Sequence, residues 1–210
     1  MSIIQSLNWR YATKMFDPTQ KISDAYMGML LEALRLTPSS FGLQFWKFLV
    51  VTNQDIKNKL VEHSWGQKQV ADCSHLLVFC KPAKVTAADV DRYVSDIAKT
   101  RGVEAASLEG YANMMKGYIE NTTPEVLSAW MDKQLYIALG VLHTVCAELK
   151  IDSCPMEGFS AAAYDEVLDL PAKGLKSVVV CPVGYRSADD KYALAKKVRY
   201  PVEDVVEWIR

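Results

Sequence analysis

Leu135-Tyr136-Ile137-Ala138-Leu139-Gly140-Val141-Leu142 is apolar on nearly every side of the helix in which it is expected to lie. That helix opens at Thr123-Pro124-Glu125, which combines an N-cap hydroxyl, proline at the first helical position and an early carboxylate, and it runs to about Lys150. A helix without a polar face must be surrounded, by the rest of its own fold or by a second subunit. The chain has 210 residues, enough for one domain over 1–210 with a full core, so a subunit interface is expected to cover part of this helix.

The other elements are placed around it. Ile3 to Trp9 reads as a short first helix. Ser23 caps a second, with Met27, Leu30, Leu31 and Leu34 at spacings of three and four, and Pro38 stops it. Phe48 to Val51 and His75 to Cys80 are continuous apolar runs suited to strands covered on both faces, and Asn53 caps a polar helix between them, to about Glu62. Thr86 to Tyr118 is helical but interrupted by Gly102, Gly110 and Gly117, and is expected to be the most mobile part. A short strand at Ile151 to Cys154, a helix at Ser160 to Leu168 and a β-branched central strand at Leu175 to Val183 follow. The tail ends in an amphipathic turn through Val205, Val206, Trp208 and Ile209. Helices thus flank a few buried strands.

A net charge of -1 argues against nucleic acid and anionic membranes as partners. Cys73, Cys80, Cys146, Cys154 and Cys181 are odd in number and scattered without metal spacing, so they read as buried apolar residues of a reducing cytoplasm. No signal-peptide pattern and no apolar run near ~20 residues is present, so a soluble intracellular protein is expected. GxG, GxxxxGK[ST], GxSxG and HExxH patterns are all missing. Cys73 beside His75 suggests a thiol hydrolase, but Cys73 would need a third group to orient its base. Ser39 and Ser40 read as turn formers, and Asp189-Asp190 as solvated charges.

Two short cationic combs remain. Arg10, Ala12 and Lys14 share one side of an extended run, as do Lys197 and Arg199. They suit an anion with several oxygens, which Arg grips with a fork and Lys meets as a point charge. The alternative is two ordinary solvated charge pairs. Three polar features accompany them: Gln134 on an apolar stripe, Glu157 between Met156 and Gly158 at a strand end, and the loop Ser39 to Gln44 between aromatics. A flat, polar-edged ligand carrying a phosphate would use all of them.

The segments RYATKMFDP at Arg10, LTPSSFGLQFW ending at Trp46, DCSHLLVF at Asp72, WMDKQ ending at Gln134, PMEGF at Pro155, VGYRSADD at Val183 and KKVRYP at Lys196 together resemble the FMN-dependent nitroreductase family, in its NAD(P)H-dependent branch. The resemblance covers essentially the whole chain. It implies an α+β fold with a central mixed sheet, swapped terminal segments, and a homodimer holding FMN at two interface sites. It places Arg10, Tyr11, Ala12, Lys197 and Arg199 at the phosphate and ribityl chain, and Lys14 at the pyrimidine edge, where a cation stabilises the reduced ring. Pro38, Ser39, Ser40 and Gly42 would come from the partner subunit and Gln134 would meet the ribityl hydroxyls. Pro155, Met156, Glu157 and Gly158 would lie along the N5 side. Ala12 replaces a common serine, Phe45 a common proline, and Gly66 and Gln69 an asparagine and a lysine, leaving Gln67 or Gln69 for the pyrimidine edge. Phe41, Tyr111, Met114, Met115 and Tyr118 are candidates for a lid over the substrate pocket, with core packing as their alternative.

The implied activity is a two-step cycle in which NADH or NADPH reduces the flavin and a nitroaromatic, quinone or similar small-molecule acceptor reoxidises it, without a catalytic side chain or a metal. The alternatives are an FMN carrier or regulatory flavoprotein, or a flavoenzyme of this fold that carries out dehalogenation or flavin fragmentation.

Overall fold

Four strands, β1 (Lys47–Val51), β2 (His75–Pro82), β3 (Asp152–Ser153) and β4 (Leu175–Gly184), make one sheet in the order β1-β2-β4-β3 in the computed structural model, which describes residues 2–210. Alternation along β2 and β4 explains their continuous apolar sequence. Leu77, Phe79, Val179, Cys181 and Val183 enter one buried cluster, while Leu76, Val78, Cys80 and Val180 enter a second. β1 differs from expectation: as an edge strand it leaves Val50 exposed and is only half covered. The mixed character of the sheet is also confined to its margin. All pairings between these strands are antiparallel, and the parallel contact is the bridge of Ala12 to Ser153, because β3 is too short to pair with more of the first comb.

The helices are α1 (Ile3–Trp9), α2 (Asp24–Arg35), α3 (Gln54–Glu62), α4 (Gln69–Asp72), α5 (Ala87–Arg101), α6 (Glu109–Asn121), α7 (Pro124–Glu148), α8 (Ala161–Val167) and α9 (Val202–Val205). Ser23, Asn53, Thr123 and Ser160 cap four of them by accepting an N–H from the first turn. Gly102 ends α5 in the left-handed region, at φ 66°. Gly110 and Gly117, read as interruptions, lie inside α6 instead. Burial of Ala112, Met115 and Ile119 along that helix outweighs the ~1 kcal/mol that each glycine costs.

α7 is the central helix. Leu135, Ala138, Leu139 and Leu142 pack against Leu30 and Leu34 of α2 and against one face of the sheet. Each such leucine contributes about 1.5–3 kcal/mol by burial. Tyr136 and Ile137 stay 41% and 44% exposed, so this chain alone does not surround the helix. A third cluster joins α5, α6 and the first half of α7 to the loop after α2. Among the described residues no helix is long and apolar enough to cross a membrane.

Candidate active site

The fold brings the two combs together although nearly the whole chain separates them. Arg10, Tyr11, Ala12 and Lys14 line one side of a cavity of about 400 Å³, and Lys197 and Arg199 line the other. The Lys197 ammonium donates to the Arg10 carbonyl. Asp190, only 2% exposed, fixes the register. Its carboxylate accepts from the N–H groups of Lys14 (2.8 Å), Met15 (3.1 Å) and Tyr192 (3.0 Å) and from the Tyr11 hydroxyl (2.8 Å). Burial raises its pKa, but these donors together hold it below the usual carboxylate value. Asp190 is therefore a buried staple and not the solvated charge expected from the sequence. Tyr11 answers in kind, its pKa raised by burial and then by Asp190.

Besides Asp190, a second carboxylate near the cradle is committed elsewhere. Asp152 pairs with Arg186 at 2.6 Å, and that guanidinium lies over the rings of Trp9 (4.2 Å) and Tyr11 (4.6 Å). Among the described residues no carboxylate forms an ion pair with Arg10, Lys197 or Arg199. Arg10 Nε is buried without a hydrogen-bond partner. Burial, then the neighbouring Arg199, lowers the Arg10 pKa; burial, then Arg10 and Arg199, lowers that of Lys197. Three crowded cations and one orphaned donor thus leave positive charge here that no ion pair among the described residues balances.

Lys14 also borders a second pocket of about 310 Å³, lined by Trp65, Gln67, Pro155, Met156, Glu157 and Gly158. Met156 is tied to β4 through both its N–H and its carbonyl, to Val180. The Gln67 amide donates to the carbonyls of Gly158 and Ser64, each at 3.1 Å. No hydrogen bond among the described residues uses the N–H of Glu157 or of Gly158, so both are available to a ligand. At Gly158 a Cβ would stand 2.9 Å from the ring of Trp65, so any larger residue would have to displace that exposed side chain. Of the two glutamines considered for this edge, Gln67 lines the pocket and Gln69 is buried in α4 outside its lining.

The remaining sequence-derived residues form a separate group. Gln134 Oε1 accepts from the Ser40 N–H at 2.8 Å, and its Nε2 donates to the Trp130 carbonyl at 3.0 Å. The Tyr111 hydroxyl donates to the Phe41 carbonyl at 2.7 Å, and Phe41 sits in the left-handed region at φ 56°. Phe41, Tyr118 and Trp130 pack ring to ring. Met115 is fully buried with them, Met114 is exposed, and Pro38 and Ser39 lie at the loop's entry. Within one chain, neither cavity next to Lys14 is lined by any of these residues.

Cys73 is buried, with its thiol pushed up to about 12 by burial, and its Sγ donates to the Val70 carbonyl; His75 Nδ1 lies 2.9 Å from Ser74 Oγ instead. The pair is not a nucleophile with its base. Sequence reasoning missed Asp190, Arg186 and Trp65. Only Trp65-Gly66, an aromatic in a polar loop, carried a local signal.

The protein is α+β, with a cationic cavity that shares Lys14 with a second, smaller pocket. The chain belongs to the Nitroreductase family, whose model matches residues 7–185. Two relatives carry the name "Putative NAD(P)H nitroreductase". One, from Staphylococcus haemolyticus, is 38% identical over 99% of this chain and 97% of its own length; the other, YfkO of Bacillus subtilis, is 36% identical over the same shares. A protein of Exiguobacterium sibiricum solved in complex with FMN has the same fold, with a TM-score of 0.83 and 22% identity over 100% of this chain and 98% of that one.

Proposed function

We propose that this chain is an FMN-dependent NAD(P)H oxidoreductase that reduces nitroaromatics, quinones or similar flat acceptors as a homodimer. The observation that carries the reading is the set of cations Arg10, Lys197 and Arg199, without a carboxylate among them, opening through Lys14 into a slot edged by unused N–H groups. This donor set fits FMN: an anion cradle for the phosphate, then polar edges for a flat ring. FMN, when bound, supplies a hydride carrier that accepts from the nicotinamide and gives to the acceptor. Arg10, Lys197 and Arg199 hold the phosphate, and Lys14 and Gln67 take the pyrimidine edge. The Glu157 and Gly158 N–H groups orient the ring on the side where hydride is exchanged.

Exposed apolar residues support the dimer and its swapped terminal segments. Tyr136 and Ile137 on α7, Ile3 and Ile4 on α1, and Val198, Trp208 and Ile209 in the tail are all uncovered in the single chain. In this reading Pro38, Ser39, Ser40 and Gly42 complete the partner's site, and Gln134 moves with them because it is bonded to Ser40. Phe41, Tyr111, Tyr118 and Met114 stand beside that loop as the wall of the acceptor pocket. The five buried free thiols support a reducing, cytoplasmic compartment.

The test is an absorbance spectrum of the purified protein, followed by anaerobic NADPH and, separately, NADH. A flavin band that bleaches with a nicotinamide and returns with a quinone is the expected result. A flavin band that neither donor bleaches makes the protein an FMN carrier, and a colourless protein that takes up no added FMN removes the reading.

A further inference from the structure

We infer that the hydrogen bond from the Tyr136 hydroxyl to the Glu157 carboxylate is a positioning device that sets how much negative charge the bound ring meets. The inference rests on the FMN reading above. Tyr136 projects from the uncovered face of α7 and donates to Glu157 Oε1 at 2.5 Å. Glu157 lines the slot beside Lys14 and also a cavity of about 460 Å³ on the other side, against Tyr136, Gly140 and His143. It is the one carboxylate in the lining of the slot.

The backbone around it is already held. Met156 is laddered to β4, the Gly158 carbonyl is held by Gln67, and the Phe159 N–H returns to the Glu157 carbonyl at 2.9 Å. The Glu157 side chain is the remaining freedom, and Tyr136 removes it. Two opposite charges therefore border one slot. Lys14 favours the negative charge that reduction places on a flavin ring, while Glu157 opposes it. A carboxylate drawn onto a phenol of α7 and sharing its charge through a strong hydrogen bond opposes it less than a free one. The phenol is suited to remain a donor: burial, then Glu157, pushes its pKa up to about 12.

Tyr136 is thus a positioning residue acting through Glu157, and a double-mutant cycle on the FMN-loaded protein tests it. The readout is the midpoint potential of the bound flavin, measured by equilibration with a reference dye, alongside Tm and the dissociation constant of oxidised FMN. Tyr136→Phe keeps the ring and removes the donor, so the potential falls. Glu157→Gln removes the charge and keeps an acceptor for Tyr136, so the potential rises. Adding Tyr136→Phe to Glu157→Gln produces no further shift, because the charge through which Tyr136 acts is gone. In Tyr136→Phe, a residue outside the slot lining, Tm shifts by no more than about 4 °C and oxidised-FMN affinity stays within about twofold of wild type. An unshifted potential in Tyr136→Phe, or the same shift on both backgrounds, overturns the inference while leaving the FMN reading in place. Wild-type protein that takes up no FMN overturns both.

Discussion

Around Arg10, Lys197 and Arg199 like charges crowd with no carboxylate among them, and Arg10 Nε has no partner. Around Ser40, Phe41 and Gln134 the chain has matched its own groups: the Ser40 N–H, the Gln134 amide and the Phe41 carbonyl each have a bond, and three aromatic rings close over them. One region holds positive charge that its own chain does not balance. The other is complete before any ligand binds. Substitutions in the first should therefore show mainly in ligand affinity, and substitutions in the second mainly in the stability of the free protein.

The largest contrast is expected from the cradle. Lys197→Ala and Arg199→Ala should each weaken FMN binding by ~1.5–3 kcal/mol for a lost charge-assisted contact. Together they should cost less than the sum if, as proposed, both contact one phosphate. Fluorescence titration gives the affinities. The same variants should unfold in urea no earlier than wild type without FMN, because removing a cation relieves its neighbours. A urea midpoint that falls with each variant, at unchanged FMN affinity, reverses the comparison.

A pH titration is the next largest effect. His143 Nδ1 lies 2.7 Å from Ser153 Oγ, its Nε2 is buried without a partner, and burial followed by Arg10 lowers its pKa from 6.5 to about 4. The unfolded chain accepts a proton that the folded one resists. Stability from this group is therefore full above pH 6.5, falls as pH drops from there, and levels off near pH 4. The integrated loss is at most about 3 kcal/mol. Chemical unfolding across that window should show the slope, and His143→Gln should flatten it. A phosphate bound beside Arg10, as proposed, would offset the repulsion that His143 feels, so the slope should shrink in the FMN-loaded protein. An equal slope with and without FMN would detach His143 from the cradle.

How far the two regions could be read from the sequence follows the same division. Caps at Ser23, Asn53 and Thr123 and the apolar run of β2 were legible because their causes lie within a few residues. The charges of the cradle were legible too, as residue types in a comb. Their meeting was not, because Asp190 reaches Lys14 and Met15 across more than 170 positions through backbone N–H groups that leave no mark in the sequence. Asp190 accordingly read as a solvated charge. Gly110 and Gly117 misled for a related reason: tertiary burial along α6 exceeds their local cost. Gln134 was recognised as an amide needing partners, but the Ser40 N–H that satisfies it lies 94 residues away.

That amide gives the third expectation. Gln134→Ala leaves the Ser40 N–H without its acceptor, at a cost of about 1–3 kcal/mol to the free protein, read as a lower urea midpoint. Gln134 does not line the cradle of its own chain, so any change in FMN affinity should come only through the partner's site that its loop is proposed to complete. Glutamate at this position keeps an acceptor for Ser40 but sets a carboxylate oxygen against the Trp130 carbonyl at a buried position, so it should not recover the loss.

Tyr111→Phe gives the smallest effect and the finest test. Phe41 holds φ 56°, a conformation that a side chain with a Cβ adopts at a cost of roughly 1–2 kcal/mol. The Tyr111 hydroxyl, donating to the Phe41 carbonyl at 2.7 Å, offsets part of that strain, and removing it should cost about 1 kcal/mol. For a chain of this length the corresponding fall in Tm is about 2–4 °C. The ring itself remains, so the edge contact with Phe41 survives and FMN affinity should stay within about twofold of wild type. If instead Tm holds and affinity falls, the bond forms its full strength only around bound ligand. The loop would then belong with the cradle among the parts that FMN completes.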